Sequence, residues 1–553
     1  MKNLKYISIS SIILLFVSIM GTSCKKSLDS SLDITPHDRL TSNTVFATVS
    51  TADLVLNDIY NQLPDGNNWD DPFDNWSDNS ICGYSSRNSR TEAQQNNYTP
   101  ATLGFGNNSD ALNLGWQFLY TNIRKCNVFI ANVTASTLAD DYKKKRIAET
   151  RFLRAYFYHL LWMAYGGLPI LTNPLDVNTQ GDAAFVERSS SDDTYKFIAT
   201  ELTAITPDMP TTSDPGRATQ GATLALLGWV QLYHHDFAAA ATTTKQIIDG
   251  KLYDLYPDYQ NLFLDNTVNK EAIFYRQYIA VVKGNRFAGI GGPTFTKNGV
   301  ETSWGSTDPT QELVDDYAMD NGLPIAATGS GYDAKHPYLH REKRFYQSIV
   351  YDGSYFYNDT IYTRQGIKSP NEIDLSDKND ATQTGYYLRK KVQENIPLGS
   401  ANWDGRTGAQ NYYYFRYGEV LLMYAEAQNE GVGPDNTVYD AINKVRARSA
   451  LPNLTPGLSQ DVMRTAIRRE RRIELAFEDK RLWDLRRWKL AEINLNKPVH
   501  GIAITANGSG GFNYNPVTTP GGNLMFDASK NYLFPLPQRA VDQNAKLKQN
   551  PGY

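Results

Sequence analysis

Apolar and polar positions divide this chain into helical runs towards both ends and a middle region that lacks them. Helical spacing is read at 41–63, where Val45, Leu54, Leu56, Ile59 and Tyr60 are the apolar residues, and again at 111–135, 141–165 and 191–205. Gly166-Gly167 followed by Pro169 predicts where the third run stops, and Ser and Asp residues stand ready to cap the fourth. The stretches 221–250 and 418–448 each read as a pair of helices. In the first, Ala222, Ala225, Gly228, Ala240 and Ala241 are small enough to let two helices close around Leu226, Tyr233 and Phe237, the pattern of a tetratricopeptide repeat. Between the pairs, 274–414 is rich in Gly, Asp and Tyr. It reads as loops and short strands, with alternation at 344–351 and one helix near 310–317. The tail from 531 starts extended, because Pro535 and Pro537 exclude a helix interior.

One stretch organises the rest: 467–489, reading IRRERRIELAFEDKRLWDLRRWK. Met463, Ala466, Ile467, Ile473, Ala476 and Phe477 give its helix one apolar face. Glu470, Glu474 and Glu478 form an acidic row at i, i+4 and i+8, and Arg468 and Arg472 a parallel basic pair. Like charges at that spacing destabilise an isolated helix, so both rows require counter-charges from elsewhere in the fold. Near Phe477 the apolar phase shifts to Leu482, Trp483, Leu485 and Trp488, which predicts a second helix from about Asp479. A solvated helix or a nucleic-acid contact would explain the charges alone. Interleaved acids and Trp favour a clamp that holds other segments.

Composition narrows the function classes. The chain has 553 residues and a net charge of −4, so no global basic field points to nucleic acid. Aromatics make up 12%, with 35 Tyr and 9 Trp, an excess that suits packed helices plus a surface for a flat or amphipathic ligand. That surface is sought at 64–105, which is rich in Asp, Asn, Ser and Gly and has no helical period. It carries Trp69, Phe73, Trp76, Tyr84, Arg87 and Arg90. A sugar ring offers an apolar C–H face that stacks on Trp or Tyr, and hydroxyls that suit forked donors such as Arg. The candidate ligand-facing residues are therefore Trp69, Trp76, Tyr84, Arg87, Arg90 and, from another loop, Trp304. The bland alternative is that these aromatics fill gaps beneath long loops.

Signals for catalysis or metal are absent. The seven His are scattered without an HExxH, and there is no GxSxG elbow or phosphate-binding loop. Asp70, Asp71, Asp74 and Asp78 miss the EF-hand order and read as solvated loop acids. No catalytic residue, metal or cofactor is expected. A paired-carboxylate hydrolase stays open, because such pairs are set by geometry rather than spacing.

The N-terminus is a targeting segment: Lys2 and Lys5, an apolar run over 7–20 too short to span a membrane, then Gly21-Thr22-Ser23-Cys24. Small residues before a cysteine resemble a lipoprotein cleavage site, although Gly21 stands where Leu is usual. Cleavage would leave Cys24 to carry lipid; ordinary secretion with an incidental Cys is the alternative. Cys82 and Cys126 either pair or remain separate thiols.

The 467–489 stretch, the SLDITP and IYNQL runs near the start, AYGGLPIL at 164–171 and the closing NYLFPLPQRAVDQNAKLKQNPGY resemble the SusD/RagB family of nutrient-binding surface lipoproteins. The resemblance covers nearly the whole chain. It implies a mainly α fold, with tetratricopeptide-like helix pairs supporting a loop-rich ligand face with minor β-strands. It implies a signal peptide (1–23), a tether (24–40) and one domain (41–553) with halves at about 41–300 and 301–553. The implied function is a non-enzymatic lipoprotein of the outer membrane, lipid-anchored and facing the exterior. Such a protein binds oligosaccharide and passes it to a SusC-type TonB-dependent transporter. Peptide capture within the same family, a secreted glycan hydrolase and a structural surface protein are the rival readings.

Overall fold

The computed structural model describes residues 42–64, 72–102 without 88, 115–293 without 281, 286 and 288–290, 296–297, 300–301, 305–376, 381–394 and 408–553. The first helical run is broken. Helix α1 (Val49–Asn61) starts only where Thr48 accepts the Thr51 amide, and Phe46 turns inward against Phe129, their ring centroids 5.8 Å apart. Helices α2 (Trp116–Ala135) and α3 (Asp140–Tyr165) pack together, and α3 stops at Gly166, whose φ of +74° suits a glycine. Helix α4 (Ser191–Ile205) matches its expected bounds and is capped by Ser190, which accepts the Asp193 amide at 3.0 Å.

Helices α5 (Gln220–Tyr233) and α6 (Phe237–Asp249) form the first tetratricopeptide-like pair. Gly228 is required there: a Cβ would sit 2.7 Å from the Thr244 methyl. Two short helices follow, α7 (Gln311–Asp316) and α8 (Lys343–Ser348). The second pair is α9 (Tyr417–Gly431) with α10 (Asn436–Arg448), and α9 packs on α6, so the pairs stack. Helices α11 (Gln460–Glu474) and α12 (Arg481–Arg487) are the two halves of the 467–489 stretch, and α13 (Gln538–Gln543) lies in the tail.

The described strands pair antiparallel and are short except in one hairpin near the C-terminus. Besides a two-residue pair at Thr296–Lys297 and Val300–Glu301, they are, in chain order, β1 (Ser80–Cys82), β2 (Ala272–Arg276), β3 (Thr307–Pro309), β4 (Ile349–Val350), β5 (Tyr355–Phe356), β6 (Asp359–Thr360), β7 (Tyr387–Leu388), β8 (Tyr412–Arg416), β9 (Pro498–Ala506) and β10 (Phe512–Asn523). They pair as β1–β3, β2–β8, β4–β7, β5–β6 and β9–β10. The alternation at 344–351 is mostly the α8 helix rather than a strand, because Arg344 must point inward to buried glutamates. The β9–β10 hairpin was not anticipated. Its turn is organised by Asn507, which accepts the Ser509 and Gly511 amides at 3.2 and 2.8 Å.

Two cores result. The larger draws on residues from Phe46 to Leu547, so both halves of the chain build it. The smaller gathers Leu313, Tyr317, Phe345, Ile349 and Ile504 beneath the loops. Helix α11 belongs to both: Met463 and Ile467 enter the larger core, and Ile473, Ala476 and Phe477 the smaller. The apolar phase shift therefore marks the passage from one core to the other. At that corner Phe477 and Asp479 both adopt φ of +62°. A left-handed Phe is strained, and the neighbouring hydrogen bonds hold it there.

Candidate ligand-binding site

The base of the site is ionic. Glu474 is fully buried and meets Arg416 at 2.6 Å, Arg344 at 3.0 Å and Arg448. Glu470 pairs with Arg344 (2.6 Å) and Arg446 (3.2 Å), and Glu478 with Arg416 and Lys390 (both 2.7 Å). Glu271 and Glu342 complete five carboxylates against the five cations Arg344, Lys390, Arg416, Arg446 and Arg448. The acidic row thus receives its counter-charges from α8, β7–β8 and α10. Arg416 and Lys390 outweigh burial at Glu478 and hold its carboxyl down at about 2; Glu474 is lowered further by Arg448, Arg416 and Arg344. Of the basic pair, Arg472 meets Asp78 and Asp316, while Arg468 stacks on the Trp488 ring, 5.0 Å from its centroid.

This base grips the 72–94 segment directly. Arg481 donates to both oxygens of Asp78, at 2.7 and 2.8 Å, and Arg472 donates to the Asp78 carbonyl at 2.8 Å and to Asn79 Oδ1 at 3.0 Å. Asp74 accepts the amides of Phe477 (3.1 Å) and Asp479 (2.9 Å), the two left-handed residues. Burial, with Asp479 nearby, pushes the Asp74 carboxyl up to about 6. Asp74 and Asp78 are therefore not solvated loop acids; they are the loop's anchors. Asp70 and Asp71 lie outside the described residues. Among the described residues no group of His, Cys, Asp and Glu is arranged to hold a metal.

The anchored segment then runs into the β1–β3 ladder, where Cys82 faces Thr307 and the Gly83 amide donates to Ser306 O at 3.3 Å. Gly83 permits this closeness, since a Cβ would lie 2.3 Å from the Gly305 carbonyl. Beyond the ladder the chain turns at Tyr84–Arg87, the Arg87 amide donating to Tyr84 O, and returns through a π-helical turn at Ser89–Ala93.

The six expected ligand residues fall into three groups. Trp76 is a correction: only 1% exposed, it lies in the larger core, with Tyr98 and Phe534 ring centroids at 5.9 and 6.1 Å. Arg90 is a second correction. It is 5% exposed and spends its guanidinium inside the fold, donating to Cys82 O and Gln383 Oε1, both at 2.7 Å. The reasons differ: Asp74, held by the corner amides, and Asp78, held by Arg472 and Arg481, flank Trp76 and bring it in, whereas Arg90 is spent on the Cys82 carbonyl and the Gln383 side-chain amide oxygen. Tyr84 and Arg87 stay half-buried at the outer edge, and the Arg87 guanidinium lies 5.6 Å from the Tyr84 ring centroid. Trp69 and Trp304 lie outside the described residues; Gly305, next to Trp304 in the chain, packs at Gly83. Cys82 and Cys126 are buried and form no disulfide.

Residues that sequence reading missed as neighbours of this edge are Gln383 and Asp308. The Asp308 carboxylate accepts the Gln383 amide at 2.9 Å, and burial raises its pKa. They sit about 75 residues apart in loops without periodicity, so no spacing could pair them.

The family model described as the SusD family matches residues 270–553, just over half of the chain. The chain belongs to the SusD family. A second model, described as starch-binding associating with outer membrane, matches residues 28–232. This SusD-family chain is similar to the SusD-like protein P2 of Formosa agariphila, 27% identical with 83% of each chain covered. Among solved structures it is similar to a SusD-like carbohydrate binding protein of Bacteroides fragilis, at 26% identity and a TM-score of 0.77. That match covers 91% of this chain and 100% of the other. A laminarin binding SusD-like protein shares the fold at 21% identity and a TM-score of 0.65, covering 92% of this chain and 100% of the other. The stacked helix pairs and minor strands are thus the SusD-like arrangement.

Proposed function

We propose that this protein is a non-enzymatic surface lipoprotein that retains oligosaccharides at the Tyr84–Arg87 edge and delivers them to a SusC-type TonB-dependent transporter. The observation that carries the proposal is the pairing of a half-buried Tyr and Arg on a turn fixed from beneath by buried ion pairs. A ring face beside a forked donor, held rigid, suits a pyranose: the C–H face stacks on Tyr84 and the hydroxyls meet Arg87. Trp304, one residue from Gly305, and Trp69, at the entry to the same segment, are the further platforms in this reading. Family membership supports a carbohydrate ligand, as do the carbohydrate-binding relative of Bacteroides fragilis and the laminarin-binding one.

Calorimetry against an oligosaccharide panel, with Trp69→Ala and Trp304→Ala beside the wild type, tests the reading. Binding without cleavage of the recovered ligand, weakened in at least one variant, is the expected result. Release of shorter products would make the protein a hydrolase, and unchanged affinity in both variants would move the tryptophans out of the site. Cys24, outside the described residues, is the proposed lipid attachment. A Cys24→Ala protein should leave the membrane fraction, and one that stays equally bound would remove the anchor from the proposal.

A further inference from the structure

Helix α2, the connection 169–186 and the tail line a cleft of about 640 Å³. Trp116, Tyr120, Ile123 and Asn127, spaced to share one face of α2, form its floor. The connection is strapped across by hydrogen bonds: Tyr120 Oη donates to Pro169 O at 3.0 Å, Asn127 Nδ2 to Leu171 O at 2.9 Å, and Arg124 to Leu175 O. From the tail, Asn544 Nδ2 donates to Val186 O at 2.9 Å. The gap is therefore held open by bonded walls, unlike a void left by loose packing. Its volume falls within the roughly 300–1,000 Å³ typical of small-molecule sites.

The lining is amphipathic in an ordered way. On one side are Phe185, half-buried, and Val177, 54% exposed. On the other, Gln117 and Thr121 stand four residues apart on α2, with Gln543 opposite them at the end of α13. These three polar side chains are exposed and make no hydrogen bond among the described residues, so their donors and acceptors are free for a ligand. Arg124 is the one charged side chain among the described lining residues, which favours an uncharged occupant. A flat molecule with an apolar face and a hydroxylated edge matches both walls.

We infer that this cleft is a second binding site for neutral oligosaccharide, separate from the Tyr84–Arg87 edge and sharing no lining residue with it. The inference rests on the reading of the protein as a glycan binder. Two sites on one rigid chain would raise retention of a long glycan through effective concentration.

The test is titration calorimetry with neutral glucan and xylan oligosaccharides on the full chain. Wild type should bind two equivalents, and Tyr84→Ala/Arg87→Ala should keep one. Adding Thr121→Trp, which fills the cleft from an exposed helix position, should weaken that remaining site at least about ten-fold. Gln543→Arg blocks from the opposite wall and serves where the Trp variant folds poorly. Binding that vanishes with Tyr84→Ala/Arg87→Ala alone would overturn the cleft and leave the loop-edge reading intact. Binding that ignores the Tyr84/Arg87 change but is lost with Thr121→Trp would do the reverse. Residual binding indifferent to both cleft variants, or a cleft that takes a neutral peptide and no sugar, would also overturn the inference.

Discussion

The two sides of the 72–94 segment look alike in sequence and differ in every physical respect. Its inner side holds Asp74, Trp76, Asp78 and Arg90, all buried, with the acids bonded to α11, α12 and the corner between them. Its outer side holds Tyr84 and Arg87, half-buried and resting on each other. Both sides offer an aromatic and an arginine. What separates them is charge complementarity to a distant helix: acids that match the clamp arginines are drawn in, and the neighbouring Trp goes with them. A loop crowded with aromatics can therefore be half core and half ligand surface, and the ion pairs decide where the division falls.

That division can be broken from below. Glu474→Ala leaves Arg344, Arg416 and Arg448 around an empty centre, at an expected cost of about 3–5 kcal/mol. Chemical denaturation reads it, and a change within about 0.5 kcal/mol would restore a solvated helix. Trp76→Phe keeps an aromatic ring beside Tyr98 and Phe534 but leaves a small void, at about 1–3 kcal/mol, with glycan affinity retained in the folded protein. A loss of affinity with no loss of stability would return Trp76 to the ligand surface.

Acid should act on the inner side first. Glu478 (about 2 when folded) and the further-lowered Glu474 bind protons less readily than in an unfolded chain, where the usual value is 4.5. Their stabilisation is thus complete above about pH 4.5 and is lost as pH falls towards the folded values. Asp74, raised to about 6, has the opposite sign, its contribution fading as pH rises between about 4 and 6. The melting temperature should therefore fall steeply below about pH 4; a flat acid limb would mean the row is not paired.

Much of this arrangement was legible. The like-charge rows at Glu470, Glu474, Glu478 and Arg472 announced partners elsewhere, and those partners exist. Small residues at Gly228 and Ala240 gave the helix pair, and Ser190 gave the α4 cap. The face of each loop residue was not legible, because period-free segments carry no signal of direction. Asp78 meets Arg481 across about 400 residues, and Arg90 meets Gln383 across about 290. Burial there is set by long-range pairing, which local spacing does not encode. The α8 helix, Lys343–Ser348, was not legible for a related reason: its buried charge, Arg344, looks polar in any hydrophobic pattern.

The most direct test compares the two sides in one experiment. Calorimetric titration of a bound oligosaccharide and chemical denaturation are run on Tyr84→Ala/Arg87→Ala beside the wild type. The division described here predicts a loss of at least about 2 kcal/mol in binding, as at an interface hot spot, with a stability change well below the about 3–5 kcal/mol of Glu474→Ala, because both residues are only half-buried. Full affinity at the loop edge, or a loss of stability comparable to that of Glu474→Ala, would contradict it.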